Sequence, residues 1–160
     1  MSARSGIGYD SHRFVEGRPL ILGGLEIPAE RGLAGHSDAD VLTHAVIDAL
    51  LGAAGLGDIG QHFPDTDTKW AGADSTALLA HVLELLEDLG YRPLHVDATV
   101  ICEAPELGGF REDIRETLGG ALGLGPAGAS VKFTTNEGMG FVGRGEGIAA
   151  LAVATVDLAD

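Results

Sequence analysis

Glycine constrains this chain more than any other residue: 25 of its 160 positions are glycine, about twice the usual share. Such a chain must be built from modest elements, tight turns and close backbone approaches. Gly52 to Gly60 holds four glycines in nine residues, which predicts a helix end and then a loop through Phe63-Pro64-Asp65-Thr66-Asp67. A second cluster, Gly138-Met-Gly-Phe-Val-Gly143 with Gly145 and Gly147 beyond it, predicts another glycine-rich turn.

Between these breaks the apolar pattern sets out the elements. Gly6–Phe14 and Leu20–Pro28 read as extended segments joined by the turn-like Glu16-Gly17-Arg18-Pro19. Ser37 or Asp38 can cap a helix that carries Val41, Leu42, Ala45, Val46, Ala49 and Leu50 at helical spacing. Asp74 or Ser75 opens a second helix with the stripe Leu78, Leu79, Val82, Leu85, Leu86 and Leu89, and Gly90 stops it. Leu94–Cys102 reads as a strand, Phe110–Leu122 as a third helix, and Ser130–Thr135 and Ile148–Val156 as strands. The order predicts an α/β fold of the α+β type: a single-domain layered sandwich, with a mixed β-sheet and helices on one face. No internal repeat, low-complexity tract or linker divides it, so residues 1–160 read as a single domain.

Charge narrows the partners. Asp and Glu total 24 against 10 Lys and Arg, a net charge of −14. That balance argues against nucleic acid, whose binding needs a basic face, and against an anionic membrane surface. The start lacks the apolar stretch of a signal peptide, and no segment approaches the ~20 apolar residues of a membrane span. The lone cysteine, Cys102, excludes an internal disulfide and suits a reducing compartment, so a cytoplasmic location is expected. With only Lys69 and Lys132 as lysines, any phosphorylated substrate would have to be held by metal ions and backbone amides.

Asp10-Ser-His12 places a carboxylate and an imidazole on one side of a strand end. With His44 they make two nitrogens and one oxygen, the ligand set of a catalytic zinc site with a fourth position open. From His36 to Asp67 the chain holds six aspartates and three histidines without one Lys or Arg. Asp40, His44 and Asp48 stack at i, i+4, i+8, so either carboxylate could orient the His44 imidazole. A solvated acidic helix face is the plainer alternative. Gly138 to Gly143 matches G-x-G-x-x-G formally, but too little chain follows for a dinucleotide fold, and a P-loop is absent. Exposed amides and the hydroxyls of Thr134 and Thr135 there could receive phosphate oxygens. Cys102 reads as a small core residue, His81 and His95 as structural or solvated, and His62 stays open. No Ser-His-Asp arrangement can be assigned from order.

Six segments carry a resemblance: Gly8-Tyr-Asp-Ser-His-Arg-Phe14, His36-Ser-Asp-Ala-Asp-Val41, Asp48-Ala-Leu-Leu-Gly-Ala53, Gly57-Asp-Ile-Gly60, Phe63-Pro-Asp-Thr-Asp67 and Gly143-Arg-Gly-Glu-Gly147. In order and spacing, from about Gly6 to Val156, the chain resembles the 2-C-methyl-D-erythritol 2,4-cyclodiphosphate synthase family. The resemblance implies a homotrimer with active sites between subunits. It implies Zn2+ on Asp10, His12 and His44, one per subunit, and a second divalent ion, Mg2+ or Mn2+, near Glu137. His36 and Thr135 would sit at the reacting phosphates, and Ser37 would help hold the substrate. Asp58, Ile59 and Gly60, with Phe63, Pro64, Asp65, Thr66 and Asp67, would line the methylerythritol pocket. The cytidine diphosphate part would rest on Cys102, Glu103, Ala104, Pro105, Glu106, Leu107 and Gly108 and on Thr134, Asn136 and Glu137, with Phe141 and Arg144 nearby. The family pattern has lysines where this chain has Glu106 and Gly138, which leaves amides and metal to compensate.

The implied activity is that of a lyase: 4-diphosphocytidyl-2-C-methyl-D-erythritol 2-phosphate becomes the cyclic diphosphate and CMP, in non-mevalonate isoprenoid biosynthesis. The attacking group is the substrate's own phosphate, so no protein nucleophile is expected. Two rivals share the same residues: a zinc phosphoesterase, and a non-catalytic trimeric ligand-binding module.

Overall fold

A computed structural model describes residues 2–159. The chain runs β1 (Ser2–Val15), β2 (Leu20–Leu22), β3 (Leu25–Ile27), β4 (Gly32–Leu33), α1 (Val41–Ala54), α2 (Ile59–His62), α3 (Ser75–Asp88), β5 (Tyr91–Ile101), α4 (Arg111–Ala121), β6 (Ala129–Thr134), α5 (Gly140–Gly143) and β7 (Gly147–Leu158), with short 3-10 turns between. Five strands form one sheet in the order β4-β1-β7-β5-β6. Only β5 and β6 pair in parallel, so the sheet is mixed, as expected.

Strand burial alternates, and the three long helices cover one face. Gly8, Val96, Ala98, Val100, Ala152, Ala154 and Val156 point into the core beneath α1, α3 and α4. The opposite face keeps large apolar side chains in solvent: Ile7 is 71% exposed, Tyr9 52% and Val153 45%. Ile7 pairs with Val153 and Tyr9 with Leu151, so these residues form one contiguous patch. No helix among the described residues is long and apolar enough to cross a membrane.

Glycine sets the distance between α1 and the sheet. A methyl group on Gly8 would overlap the carbonyl oxygen of Ala45, and one on Gly6 that of Ala49. The helix therefore lies backbone to backbone on β1, with Ala45, Ala49 and Ala53 as its small contact ridge. That approach is what lets a side chain on α1 meet one on β1.

The structure corrects four local expectations. Leu20–Pro28 is not one continuous extended segment. Gly23 and Gly24, with φ of 64° and 84°, fold it into a separate two-stranded sheet, while β7 takes the place beside β1 from Ser2 to Arg13. The cap of α1 is Asp40, not Ser37 or Asp38: its carboxylate accepts the Thr43 amide at 2.9 Å. The expected loop after Gly52 contains α2, closed by a capping box between Asp58 and Gln61. The strand expected from Leu94 begins at Tyr91, with a register break between Pro93 and His95 where proline has no amide to donate.

Candidate active site

Period-two geometry puts Asp10 and His12 of β1 on the helix-covered face, and the close packing of α1 brings His44 above them. Their ligand atoms all lie within 4.8 Å of one another. His12 Nε2 stands 2.8 Å from Asp10 Oδ2, and His44 Nδ1 stands 3.2 Å from both Asp10 Oδ2 and His12 Nε2. Each imidazole is anchored through its other nitrogen. His12 Nδ1 lies 2.8 Å from the Ala34 carbonyl, which can only accept, so this nitrogen donates, and Nε2 is left to donate to Asp10 when the ring is protonated or to offer a lone pair to a metal when it is neutral. His44 Nε2 lies 2.8 Å from Ser75 Oγ and 3.1 Å from Ser37 Oγ. Two imidazole nitrogens and a carboxylate oxygen, on one side of an open cleft, suit a divalent metal ion with a free coordination position.

Electrostatics tie the pair together. Burial alone would push the Asp10 carboxyl up, but hydrogen bonds with His12 and His44 outweigh it and hold the group below its ordinary value. Burial alone would push His12 down, and the Asp10 carboxylate reverses that and raises it.

Neither of the carboxylates expected to orient His44 does so. Asp40 is spent on the amides of Gly23, Gly24 and Thr43 and on the Thr43 hydroxyl. Asp48 accepts the Ile59 amide at 2.7 Å. The residues that do reach His44 are Ser37 and Ser75, and Asp38 accepts the Ser75 hydroxyl behind them. The role of Ser75 was not apparent from sequence because 31 residues separate it from His44 and only the docking of α3 joins them.

The triad opens onto a cleft of about 540 Å³. His36, Ser37, Ile59, Gly60, Phe63, Pro64, Asp65 and Thr66 line it, and Trp70 and Leu78 complete the wall. Trp70 meets Phe63 edge-on, with ring centroids 4.8 Å apart. Asp58 and Asp67 stand behind the lining as helix caps, accepting the amides of Gln61 and Lys69. The Asp67 carbonyl lies 3.3 Å from His36 Nε2.

A second cleft, about 580 Å³, opens where β5 and β6 end. Cys102, Glu103, Pro105, Glu106, Leu107, Gly108, Thr134 and Thr135 line it, joined by Phe110 and Phe133. Glu103 accepts the amides of Asn136 and Gly138 at 2.8 and 3.3 Å, which fastens the turn holding Glu137 to the end of β5. Gly138 has a φ of 76°, in the left-handed region that favours glycine. Burial pushes the Cys102 thiol up to about 11, as suits a core residue rather than a nucleophile. Ala104 sits outside this lining, in a small hollow with Phe14 and Arg31. Phe141 lies beside His12 in another hollow, and Arg144 pairs with Glu146 at 2.9 Å.

Asp10 is level with Ala150, Val100 and Phe133 across the sheet, so both clefts open at the same end of it. Three strand spacings separate them, roughly 14 Å. His36 lines the first and Thr135 the second, and one chain does not bring them together. Neither lining includes a Lys or Arg.

Comparison with known proteins places this geometry. The model of the YgbB family matches residues 3–157. A 2-C-methyl-D-erythritol 2,4-cyclodiphosphate synthase of Symbiobacterium thermophilum is 62% identical over 151 residues, 94% of this chain and 96% of that protein. A solved 2C-methyl-D-erythritol-2,4-cyclodiphosphate synthase in a CDP-bound form superposes with a TM-score of 0.88 at 40% identity, over 96% of this chain and 100% of the other. The bifunctional IspDF of Campylobacter jejuni superposes with a TM-score of 0.95 at 40% identity over 99% of this chain, which spans 43% of that longer protein. A fold, a ligand triad and an acidic, lysine-poor cleft thus converge with identity along nearly the whole length: the chain belongs to the YgbB family.

Proposed function

We propose that this chain is a metal-dependent cyclising lyase that converts 4-diphosphocytidyl-2-C-methyl-D-erythritol 2-phosphate into 2-C-methyl-D-erythritol 2,4-cyclodiphosphate and CMP, in isoprenoid biosynthesis in the cytoplasm. The observation that carries the reading is the Asp10–His12–His44 triad at the mouth of a cleft whose lining has no Lys or Arg. The whole of residues 1–160 serves as one catalytic domain.

The substrate's 2-phosphate oxygen forms a bond to the β-phosphorus, the bond from that phosphorus to the bridging oxygen breaks, and CMP leaves with the bridging oxygen. Because nucleophile and electrophile share one molecule, the protein's task is to hold the folded substrate, a gain worth ~7–11 kcal/mol in well-oriented intramolecular reactions. Ile59, Gly60 and Phe63 to Thr66 shape the pocket around the methylerythritol carbons. His36, at the cleft wall, and the hydroxyl of Thr135 donate to phosphate oxygens. Asp10, His12 and His44 would hold Zn2+, which lends Lewis acidity to a phosphoryl oxygen when bound. Glu137 would offer a carboxylate to a second ion, Mg2+ or Mn2+, which would neutralise phosphate charge when bound.

The two clefts support a homotrimer in which one subunit's triad faces the neighbour's nucleotide cleft. The uncovered apolar face of the sheet supports the same assembly, since a patch of that kind is normally buried by a partner. The CDP bound in the related structure supports a cytidine nucleotide as the substrate's leaving part.

The test is incubation of the full chain with the cytidyl substrate, Zn2+ and Mg2+, followed by phosphorus NMR. CMP and a cyclic diphosphate are expected, and His12→Ala is expected to abolish both while leaving the circular dichroism unchanged. Release of inorganic phosphate instead would point to a phosphoesterase, and a folded, metal-loaded chain that leaves the substrate intact would sink the assignment.

A further inference from the structure

We propose that Ser75 and Asp38 form a charged hydrogen-bond relay that selects the His44 tautomer and thereby sets the affinity of the metal centre. The inference rests on the metal reading above and adds two residues that touch neither metal nor substrate.

A neutral imidazole has one lone-pair nitrogen, and the partner of the other nitrogen decides which one it is. His44 Nε2 faces two hydroxyls, Ser75 Oγ at 2.8 Å and Ser37 Oγ at 3.1 Å. A hydroxyl can donate or accept, so these contacts alone leave the tautomer undetermined. Asp38 removes the ambiguity. Its carboxylate takes the Ser75 hydroxyl proton, so the Ser75 oxygen has only lone pairs left for His44. In the neutral imidazole His44 Nε2 must then carry the hydrogen, which leaves the Nδ1 lone pair for a metal ion between Asp10 and His12.

The relay is held rigidly. Asp38 also accepts the Ser75 amide at 2.9 Å and the Asp40 amide at 3.1 Å, and Ser75 is fully buried. A fixed carboxylate one hydroxyl away from the imidazole also makes Nδ1 a stronger ligand, as carboxylate partners of metal-bound histidines do. The arrangement is not simply the start of a helix. Asp74 caps α3, accepting the Thr76 amide at 2.9 Å and the Thr76 hydroxyl at 2.6 Å, so the Ser75 side chain is free for another task.

The experiment measures Zn2+ dissociation constants by chelator competition and visible spectra of the Co2+-loaded protein, on the full chain and on Ser75→Ala, Asp38→Asn and Thr76→Val. The unsubstituted chain should bind one ion per site. Ser75→Ala and Asp38→Asn should each weaken Zn2+ by about 10–100-fold and shift the cobalt bands. Thr76→Val, which loosens the helix start alone, should lower the melting temperature and leave both metal readouts unchanged. Unaltered affinity and spectrum in Ser75→Ala and Asp38→Asn overturn the relay; if Ser75→Ala does not fold, Asp38→Asn decides alone. A full chain that takes up neither ion fails at the metal reading itself, which is a distinct result.

Discussion

Without its ion, the Asp10–His12 pair is held by a shared charge, and that has a consequence for pH. The carboxyl lies below its ordinary value of 3.8, because the imidazole hydrogen bonds overcome burial. The imidazole lies above its ordinary value of 6.5, because the carboxylate overcomes burial. A lowered carboxyl contributes stability above its unfolded value and loses it on acidification; a raised imidazole contributes stability below its unfolded value and loses it as pH rises. The metal-free protein should therefore be most stable between about pH 4 and 6.5. Metal affinity should move the other way and tighten as pH rises, since binding displaces the His12 proton. Melting curves with and without chelator check this, and a metal-free melting temperature that climbs from about pH 6 to 8 contradicts it. The second cleft yields a different residue-scale test. Glu106 lines it beside Glu103 and no cation does, so Glu106→Lys should tighten cytidine diphosphate by about fivefold at low ionic strength and by less in high salt. Titration calorimetry at two salt concentrations reads both effects.

At the scale of elements, the contact of α1 with β1 governs the site. Strand periodicity alone aligns Asp10 with His12, but His44 arrives only because Gly6 and Gly8 let the helix backbone touch the strand. Gly8→Ala puts a methyl group where the Ala45 carbonyl oxygen stands. The helix must move away, at a cost of about 1–3 kcal/mol, and the His44 ligand moves with it. Urea denaturation should show that loss, and metal affinity should fall together with stability. A Gly8→Ala protein of full stability and unchanged metal affinity would show that the strand, not the helix, yields. The hairpin of β2 and β3 belongs to the same unit, since Asp40 joins the Gly23 and Gly24 amides to the first turn of α1.

For the whole molecule, the separation of the two clefts is the decisive feature. A triad chain and a nucleotide chain must meet if His36 and Thr135 serve one substrate. Mixed assemblies test this directly: His12→Ala lacks a working triad, and Thr135→Ala lacks a hydroxyl of the second cleft. Each alone should be nearly inactive. Unfolded together in equal amounts and reassembled, they should recover about a quarter of the sites, the chance that an interface draws its intact triad from one variant and its intact cleft from the other. Steady-state CMP release measures the recovery, and a mixture no more active than its components would place both halves of the site within one chain.

Much of the architecture could be read from the chain. The alternation in β1 aligned Asp10 with His12, the helical spacing from Val41 to Leu50 located α1, and the glycine clusters marked the breaks. Those signals are local, because strand and helix periods are properties of neighbouring residues. What tertiary structure alone decided is which elements touch. Leu20–Pro28 looks extended, yet nothing in its own pattern says that it pairs with itself and not with β1. Asp40 and Asp48 share a helix face with His44, yet their hydrogen bonds go to Gly23, Gly24, Thr43 and Ile59, while Ser75 and Asp38 reach the imidazole from other parts of the chain. Hydrogen bonds and clefts of this kind form between segments distant in sequence, so their partners are set by packing of the whole fold and not by any local spacing.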